Sequence, residues 1–267
     1  MKTLFLAWRD PTTRRWFPVG RMQHAEHEYR FEYIHGAISA HETGGFCAFP
    51  SFPDFNTAYV SQTLFPLFSN RTLPRSRPEY DDYVEWLNFP KEEADPLTLL
   101  ARSGGKRATD TLEVFPCPEK DSEGQYHIHF FAHGLRYMNH CAQERTALLE
   151  SGERLRLMHD FQNEHDSTAL MLRTDEKTPG DYHLLGYCPS YLTEDIFELM
   201  RENTSSLDEV IQVCVERVNA SPTPVQLRLL CNMTVRWHEG FEPFRSELYR
   251  SLMEDRKPVT ETLTAKT

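Results

Sequence analysis

The chain is short of several things, and each shortage excludes something. Its six cysteines, at 47, 117, 141, 188, 214 and 231, form no close pair. That scatter fits reduced thiols better than a disulfide framework or a zinc knuckle. No apolar run approaches the roughly 18 residues of a membrane-spanning helix. The opening stretch, Met1 to Ala7, is too short for a signal peptide and stops at Trp8-Arg9-Asp10. The expected location is the cytoplasm, with no membrane partner. Positive charge is scarce as well: 29 Lys and Arg against 40 Asp and Glu give a net charge of −11. A general nucleic-acid coat needs many cations to neutralise phosphates, so any nucleic-acid site must be small, local and dependent on shape or on a strand end. "SGGKR" at 103–107 lacks the frame of a phosphate-binding loop and reads as a helix stop. No His and Asn set accompanies a cysteine, so no cysteine nucleophile is assigned. The arginine-bearing stretches Arg14-Arg15, 71–77 and 102–107 each read as solvated loops.

What is present reads as an α+β chain, long enough at 267 residues for two domains. Strands are expected over 4–8, 15–22 and 29–34, where β-forming and aromatic residues alternate with polar ones. Residues 43–56, rich in Gly, Pro and Phe, read as an irregular packed loop. Tyr80, Tyr83, Val84 and Leu87 recur at helical spacing. A second helix starts at Asp95 as N-cap with Pro96 in the first turn, and stops at Gly104-Gly105. Residues 116–126 are the best linker candidate. A second block of strands follows, in "YHIHFFAHGL", "ERLRLM", "TALMLRT", "YHLLGYCP" and "QLRLLCNMTVRW". One helix interrupts it, with Thr193 as cap and Ile196, Phe197 and Met200 on one face. A short helix is expected in "EPFRSELYRSLMEDR", followed by a frayed end.

The stretch "HDFQNEHDSTALML", 159–172, crowds short hydrogen-bonding side chains against an apolar segment. Either it is an ordinary polar loop, since Asp and Asn bond their own backbone in turns, or its carboxylate and amide face a ligand. The twelve His raise a metal reading: His127, His129, His133 and His140 lie near Cys141 in the chain, and 127 and 129 would share a strand face. No dense zinc spacing accompanies them, and no metal is assigned. Asp160, Glu164 and Asp166 leave a metal-dependent phosphohydrolase as a weaker alternative.

Four short pieces stand in a telling order: "HGLRYM" at 133–138, the strand "GERLRLMHD", then Asn163, Asp166 and Ala169 in "NEHDSTALML", and "LLGYCPSYLTEDI". Over about 127–238 this resembles the HIRAN domain, a small OB-like β-barrel with one or two helices. The resemblance implies a module holding the 3′-hydroxyl end of single-stranded DNA. Arg136 would hold a backbone phosphate and Tyr137 is the adjacent aromatic. Asp166 would accept a hydrogen bond from the terminal hydroxyl. Asn163 belongs to the same pattern, and His165 stands where a stacking tyrosine can lie. A carboxylate is an acceptor only, so it welcomes a hydroxyl and repels a terminal phosphate. Residues 1–120, through "WFPVGRM", "YRFEYI", "TLFPLFSNR" and "DPLTLLARSGGKRATDTLEV", resemble the N-terminal subdomain of HipA-type kinases, with no kinase core after it; 239–267 would be a C-terminal helix and tail. The expectation is a non-enzymatic, cofactor-free binder of single-stranded DNA ends, accessory to repair, restriction or phage defence, whose partner supplies helicase or nuclease activity. The alternative is a protein-docking module, which the acidity favours.

Overall fold

The computed structural model describes residues 2–175, 180–202, 210–236 and 240–254. The first half runs β1 (Lys2–Arg9), β2 (Trp16–Ala25), β3 (Glu28–Tyr33), α1 (His35–Gly44), β4 (Tyr59–Ser61), α2 (Pro66–Ser69), α3 (Tyr80–Trp86), α4 (Pro96–Ser103) and β5 (Leu112–Pro116). The second runs β6 (Gln125–Phe131), α5 (His140–Ala147), β7 (Arg154–His159), β8 (Leu170–Thr174), β9 (Leu184–Tyr187), α6 (Thr193–Glu202), β10 (Ile211–Val218) and β11 (Leu229–Arg236). The class is α+β, as expected: both sheets are antiparallel, in the orders β4-β3-β2-β1-β5 and β6-β11-β10-β7-β8-β9.

The second sheet curls on itself. Just past the end of β6, His133 pairs with Tyr187 of β9, each amide donating to the other's carbonyl at 2.9 Å. Two glycines permit that seam. Gly186, at φ 151°, lies where a Cβ would stand 2.6 Å from the His133 carbonyl oxygen. Gly134, at φ 72°, lies beneath the Tyr187 ring, 3.0 Å from where its Cβ would be. The glycines of the "HGLRY" and "LLGYCP" pieces thus face each other across the closure.

The first sheet is not a separate layer. β1 is buried on both faces, as strand alternation allows. Leu4 and Leu6 enter a core with Val19, Met22, Phe31, Tyr33, Phe52 and Phe68. Phe5 and Ala7 point the other way, into one cluster with the barrel residues Ile128, Leu172, Leu185, Val213 and Leu229. A third cluster joins Val84, Leu87 and Leu99 to Phe131, Leu227 and Leu230. Residues 116–126, read as a linker, are held: the Cys117 amide donates to Thr3 O at 2.9 Å and the Asp121 amide to Gln125 O at 2.8 Å.

Several sequence expectations hold. Asp95 caps α4, accepting from the amides of Leu97 at 2.9 Å and Thr98 at 3.1 Å, and Gly104 ends the helix at φ 72°. The 43–56 loop is packed: the Tyr33 hydroxyl donates to Phe52 O at 2.8 Å and accepts from the Phe49 amide at 2.7 Å. Others need correction. Strand β10 and helices α1 and α5 were not anticipated. Helix α1 carries little apolar periodicity because it lies against β2 with Gly36 in contact; a Cβ there would stand 1.9 Å from Pro18 O. Thr193 does not cap α6 but is its first residue, with helical φ and ψ and its hydroxyl donating to Ser190 O at 2.8 Å. The expected helix in 242–256 is a single 3-10 turn, Glu247–Tyr249, among the described residues. Arg71 is not a solvated loop residue: it is buried, bidentate on Asp110 (3.1 and 2.6 Å), and donates to Gly105 O. No helix among the described residues is long and apolar enough to cross a membrane.

Candidate nucleic-acid interface

The polar loop at 160–169 joins β7 to β8, and most of its side chains serve the loop itself. Asp160 accepts from the Gln162 amide at 3.2 Å and from the Tyr187 hydroxyl at 2.9 Å. Asn163 Oδ1 accepts from the amides of His165 and Asp166, both at 3.0 Å, and its Nδ2 points at Asp160, 3.4 Å away. Asp166 Oδ1 accepts from the Thr168 amide at 2.9 Å and hydroxyl at 2.7 Å. His159 Nε2 meets Ser167 O at 2.7 Å, and Thr168 Oγ1 reaches Thr193 Oγ1 of α6 at 3.2 Å. The ordinary reading of Asp and Asn in turns therefore accounts for Asp160, for Asn163 and for half of Asp166. Asp166 Oδ2 makes no hydrogen bond among the described residues.

That carboxylate lies on the rim of a cleft of about 1080 Å³. One wall is the loop, with Asn163, Glu164, His165 and Asp166; the second is α6, with Glu194, Phe197, Glu198 and Arg201. The third wall is contributed by the other sheet: Arg14, Arg15 and Trp16, from the turn between β1 and β2 and the start of β2. The floor is aromatic, with Phe115, Tyr191 and Tyr249; the first two rings stack 3.9 Å apart at 5°. The walls carry both signs of charge. Glu198 is paired to Arg245 and Glu194 accepts from the Ser246 hydroxyl at 3.2 Å.

Arg136 and Tyr137 sit outside the cleft lining, on the 3-10 turn Leu135–Tyr137 that follows Gly134. Both are exposed, Tyr137 at 61 %. The Arg136 guanidinium lies 4.6 Å over the Tyr137 ring and donates to its hydroxyl at 2.5 Å. The Tyr137 hydroxyl also hydrogen-bonds Arg14, which, ahead of Arg136, lowers its pKa below the usual tyrosine value. Arg14 thus links the two groups of expected residues: it lines the cleft shared with Asp166 and touches Tyr137. Of the five residues expected from sequence, the cleft brings together Asn163, His165 and Asp166, while Arg136 and Tyr137 join through Arg14. Sequence reading missed Arg14, Trp16, Phe161 and Tyr191. Phe161 is 85 % exposed on the loop, its ring 4.1 Å from that of His159. In the sequence its one signal was a lone Phe set among polar residues, Asp160, Gln162, Asn163 and Glu164.

Metal is not indicated by grouping: no cluster of three His, Cys, Asp or Glu side chains suited to an ion occurs among the described residues. The histidines that raised the question have carboxylate neighbours, His127 with Asp121 at 3.0 Å, His129 with Glu216 at 4.0 Å and His133 with Glu113 at 3.1 Å.

Beneath the turn lies a buried charged group. Glu113 Oε1 is 2.9 Å from Lys106 Nζ and 3.1 Å from His133 Nε2. Burial alone would raise its pKa; His133 and Lys106 outweigh that and hold it at about 2. Burial pushes His133 below the usual histidine value, against the pull of Glu113.

The second sheet is thus a curled antiparallel sheet with an open cleft beside one interstrand loop. Residues 125–238 match the family model of the HIRAN domain, and this segment of the chain is a HIRAN domain. Among solved structures, the crystal structure of the HIRAN domain of human HLTF is similar at 16 % identity, with a TM-score of 0.29, over 43 % of this chain and 81 % of that one. No curated protein matches the chain.

Proposed function

We propose that this chain binds the 3′-hydroxyl end of single-stranded DNA and holds it in the cleft beside Asp166. HIRAN domains in general are nucleic-acid-binding modules that recognise such ends. The observation that carries the reading is the Asp166 carboxylate, on the rim of a cleft large enough for a nucleotide, with one oxygen engaged by Thr168 and the other without a partner among the described residues. A hydroxyl donor satisfies that oxygen, whereas a terminal phosphate meets like charge. His165 and the exposed Phe161 offer rings for the last base, each stacked base contributing about 1–3 kcal/mol. Arg136 serves the neighbouring phosphate. The chain acts as an accessory to DNA repair, restriction or defence, and a protein partner supplies helicase or nuclease activity.

Fluorescence anisotropy with matched 3′-hydroxyl and 3′-phosphate oligonucleotides tests this. Asp166→Asn keeps an acceptor for Thr168 but removes the charge. The expected result is a hydroxyl preference of about tenfold or more, since charge-assisted bonds contribute about 1.5–3 kcal/mol, and its loss in Asp166→Asn. Equal binding of both ends by the unaltered chain overturns the reading. A second reading, a docking site for a basic protein segment, is favoured by Glu164, Glu194 and Glu198 along the cleft; it requires that neither oligonucleotide binds.

A further inference from the structure

In a chain of net charge −11, arginines with carboxylate partners are common: Arg21 pairs with Glu32, Arg71 with Asp110, Arg145 with Glu153 and Asp181, Arg156 with Asp175, Arg217 with Glu85. Others, such as Arg75, Arg102 and Arg228, donate to backbone carbonyls instead, whereas four arginines around the β1–β2 turn have neither kind of side-chain partner among the described residues. Arg9, Arg14, Arg15 and Arg136 have no carboxylate within ion-pair distance among the described residues, although they stand close to one another. Arg9 feels Arg14 and Arg136, and both repel it. The Arg9 guanidinium lies 5.5 Å over the Trp16 ring, Arg15 lies 5.4 Å over Phe17, and Arg136 lies 4.6 Å over Tyr137. Arg9 Nε is buried with no hydrogen-bond partner. A buried unsatisfied donor is costly, and burial with repulsion from Arg14 and Arg136 outweighs what Tyr137 and Glu113 return to Arg9. Aromatic faces ease this only in part, at about 0.5–1 kcal/mol for an exposed pair.

Backbone geometry holds the cluster in place. Asp10 accepts from the amides of Thr12 at 2.9 Å and Thr13 at 3.2 Å and from the Thr13 hydroxyl, which fixes the turn; the Asp10 and Arg14 amides then close it on the carbonyls of Arg15 and Asp10, both at 2.9 Å. Arg14 takes a left-handed conformation, φ 63°, and its side chain reaches the Tyr137 hydroxyl. Asp10 is thereby occupied by its own turn rather than by an arginine.

We infer that the β1–β2 turn, through Arg14 and Arg15 with Arg9 and Trp16 behind them, is a second half of the nucleic-acid site, binding the phosphates 5′ of the terminal nucleotide. This rests on the end-binding reading for its polarity: with the 3′ end at Asp166, the strand that leaves the cleft past Arg14 and Arg15 is the 5′ side. Interleaved arginines and aromatic rings suit single strands, whose phosphates and bases are both exposed. The residues lie outside 125–238, so the HIRAN segment by itself holds only part of the surface.

The test uses the full chain, a roughly ten-nucleotide single strand and two variants, Arg14→Gln/Arg15→Gln and Asp166→Asn, with far-UV circular dichroism and thermal melts to verify folding. Binding is measured over a salt series. The arginine variant is expected to lower affinity about tenfold and to flatten the slope of log K against log salt by about 0.7 for each phosphate no longer neutralised, while the preference for a 3′-hydroxyl over a 3′-phosphate persists. Asp166→Asn is expected to do the reverse, erasing end preference and keeping the slope. A folded arginine variant with unchanged slope and affinity overturns the inference, as does failure of the unaltered chain to bind either strand. If the unaltered chain binds without end preference and the arginine variant still flattens the slope, end capture fails and the phosphate surface stands.

Discussion

The turn at 133–137 carries a charged cluster on each side, and the two are built on opposite rules. At His133 the charges are buried and compensated: Glu113 sits between Lys106 at 2.9 Å and His133 at 3.1 Å. Three residues on, the exposed Arg136 and Arg14 join the half-buried Arg9 in a group with no carboxylate partner among the described residues. Glu113 is near enough to raise the Arg9 pKa slightly against burial and Arg14, but it is already committed to the seam. The difference separates structure from binding. Charges that hold a fold cannot be left unpaired, because desolvation makes an orphan expensive. Charges that await an anion keep their partners away.

That contrast can be tested at several strengths. The largest effect should come from Glu113→Ala, which leaves Lys106 and His133 facing each other across the joint between β5 and the barrel. Removing one partner of a buried pair costs about 3–5 kcal/mol, readable as a lower urea midpoint. The pH dependence has a definite sign. Glu113 is held at about 2, below its ordinary 4.5, so its contribution is complete above 4.5 and is lost as pH falls toward 2. Arg136→Ala, on the exposed side, should leave the midpoint within about 0.5 kcal/mol of its original value; a large drop would show that both clusters are structural.

Next in size is Gly186→Ala. The added Cβ would stand 2.6 Å from His133 O at a backbone φ of 151°. Left-handed strain costs about 1–2 kcal/mol before the clash, and the closing pair has to part. Faster hydrogen exchange at the His133 and Tyr187 amides is the expected signature; protection equal to that of the unaltered chain would mean the seam tolerates the methyl.

A smaller effect concerns Asp195 on α6, the helix that walls the cleft. Burial raises its pKa to about 7 against the bond it accepts from the Phe244 amide at 3.1 Å. A raised carboxyl pKa means its neutral form suits the fold: the contribution is full below about 4 and is lost as pH climbs through 7. Melting temperature should fall between pH 5 and pH 8, and Asp195→Asn should flatten that fall; an unaltered slope in the variant rejects the assignment. The smallest effect on stability belongs to Asp166→Asn, which keeps an acceptor for Thr168: the midpoint should move by less than about 0.5 kcal/mol, while end preference in binding is lost.

Local chemistry made much of this legible in the sequence. The cap at Asp95, the stop at Gly104, the alternation of β3 and the apolar segment of β8 follow from side-chain type and spacing. The glycines and short polar residues of the HIRAN pieces were also visible in order: Asn163 and Asp166 answer the local demand of a turn, whereas the demand on Gly186 comes from His133 across the seam. Strand β10, "IQVCVERV", and helix α1 were not legible. Each is defined by what lies across from it: β10 by its pairing with β7 and β11, α1 by contact with β2 at Gly36.

The site divides in the same way. Sequence alone placed the polar residues of 159–168 at the edge of an apolar strand and left open whether they serve a turn or a ligand. It set Arg136 and Tyr137 after a glycine but read the stretch through Leu135 as strand, where the structure has a 3-10 turn after Gly134 at φ 72°. It could not say that one Asp166 oxygen has no partner among the described residues, that Arg14 lies more than 120 positions before Tyr137 in the chain yet touches it, or that the cleft has a wall from the other sheet. Those are facts of tertiary packing. β1 is apolar on both faces, so it must be covered on both, and covering it brings the β1–β2 turn against the barrel mouth.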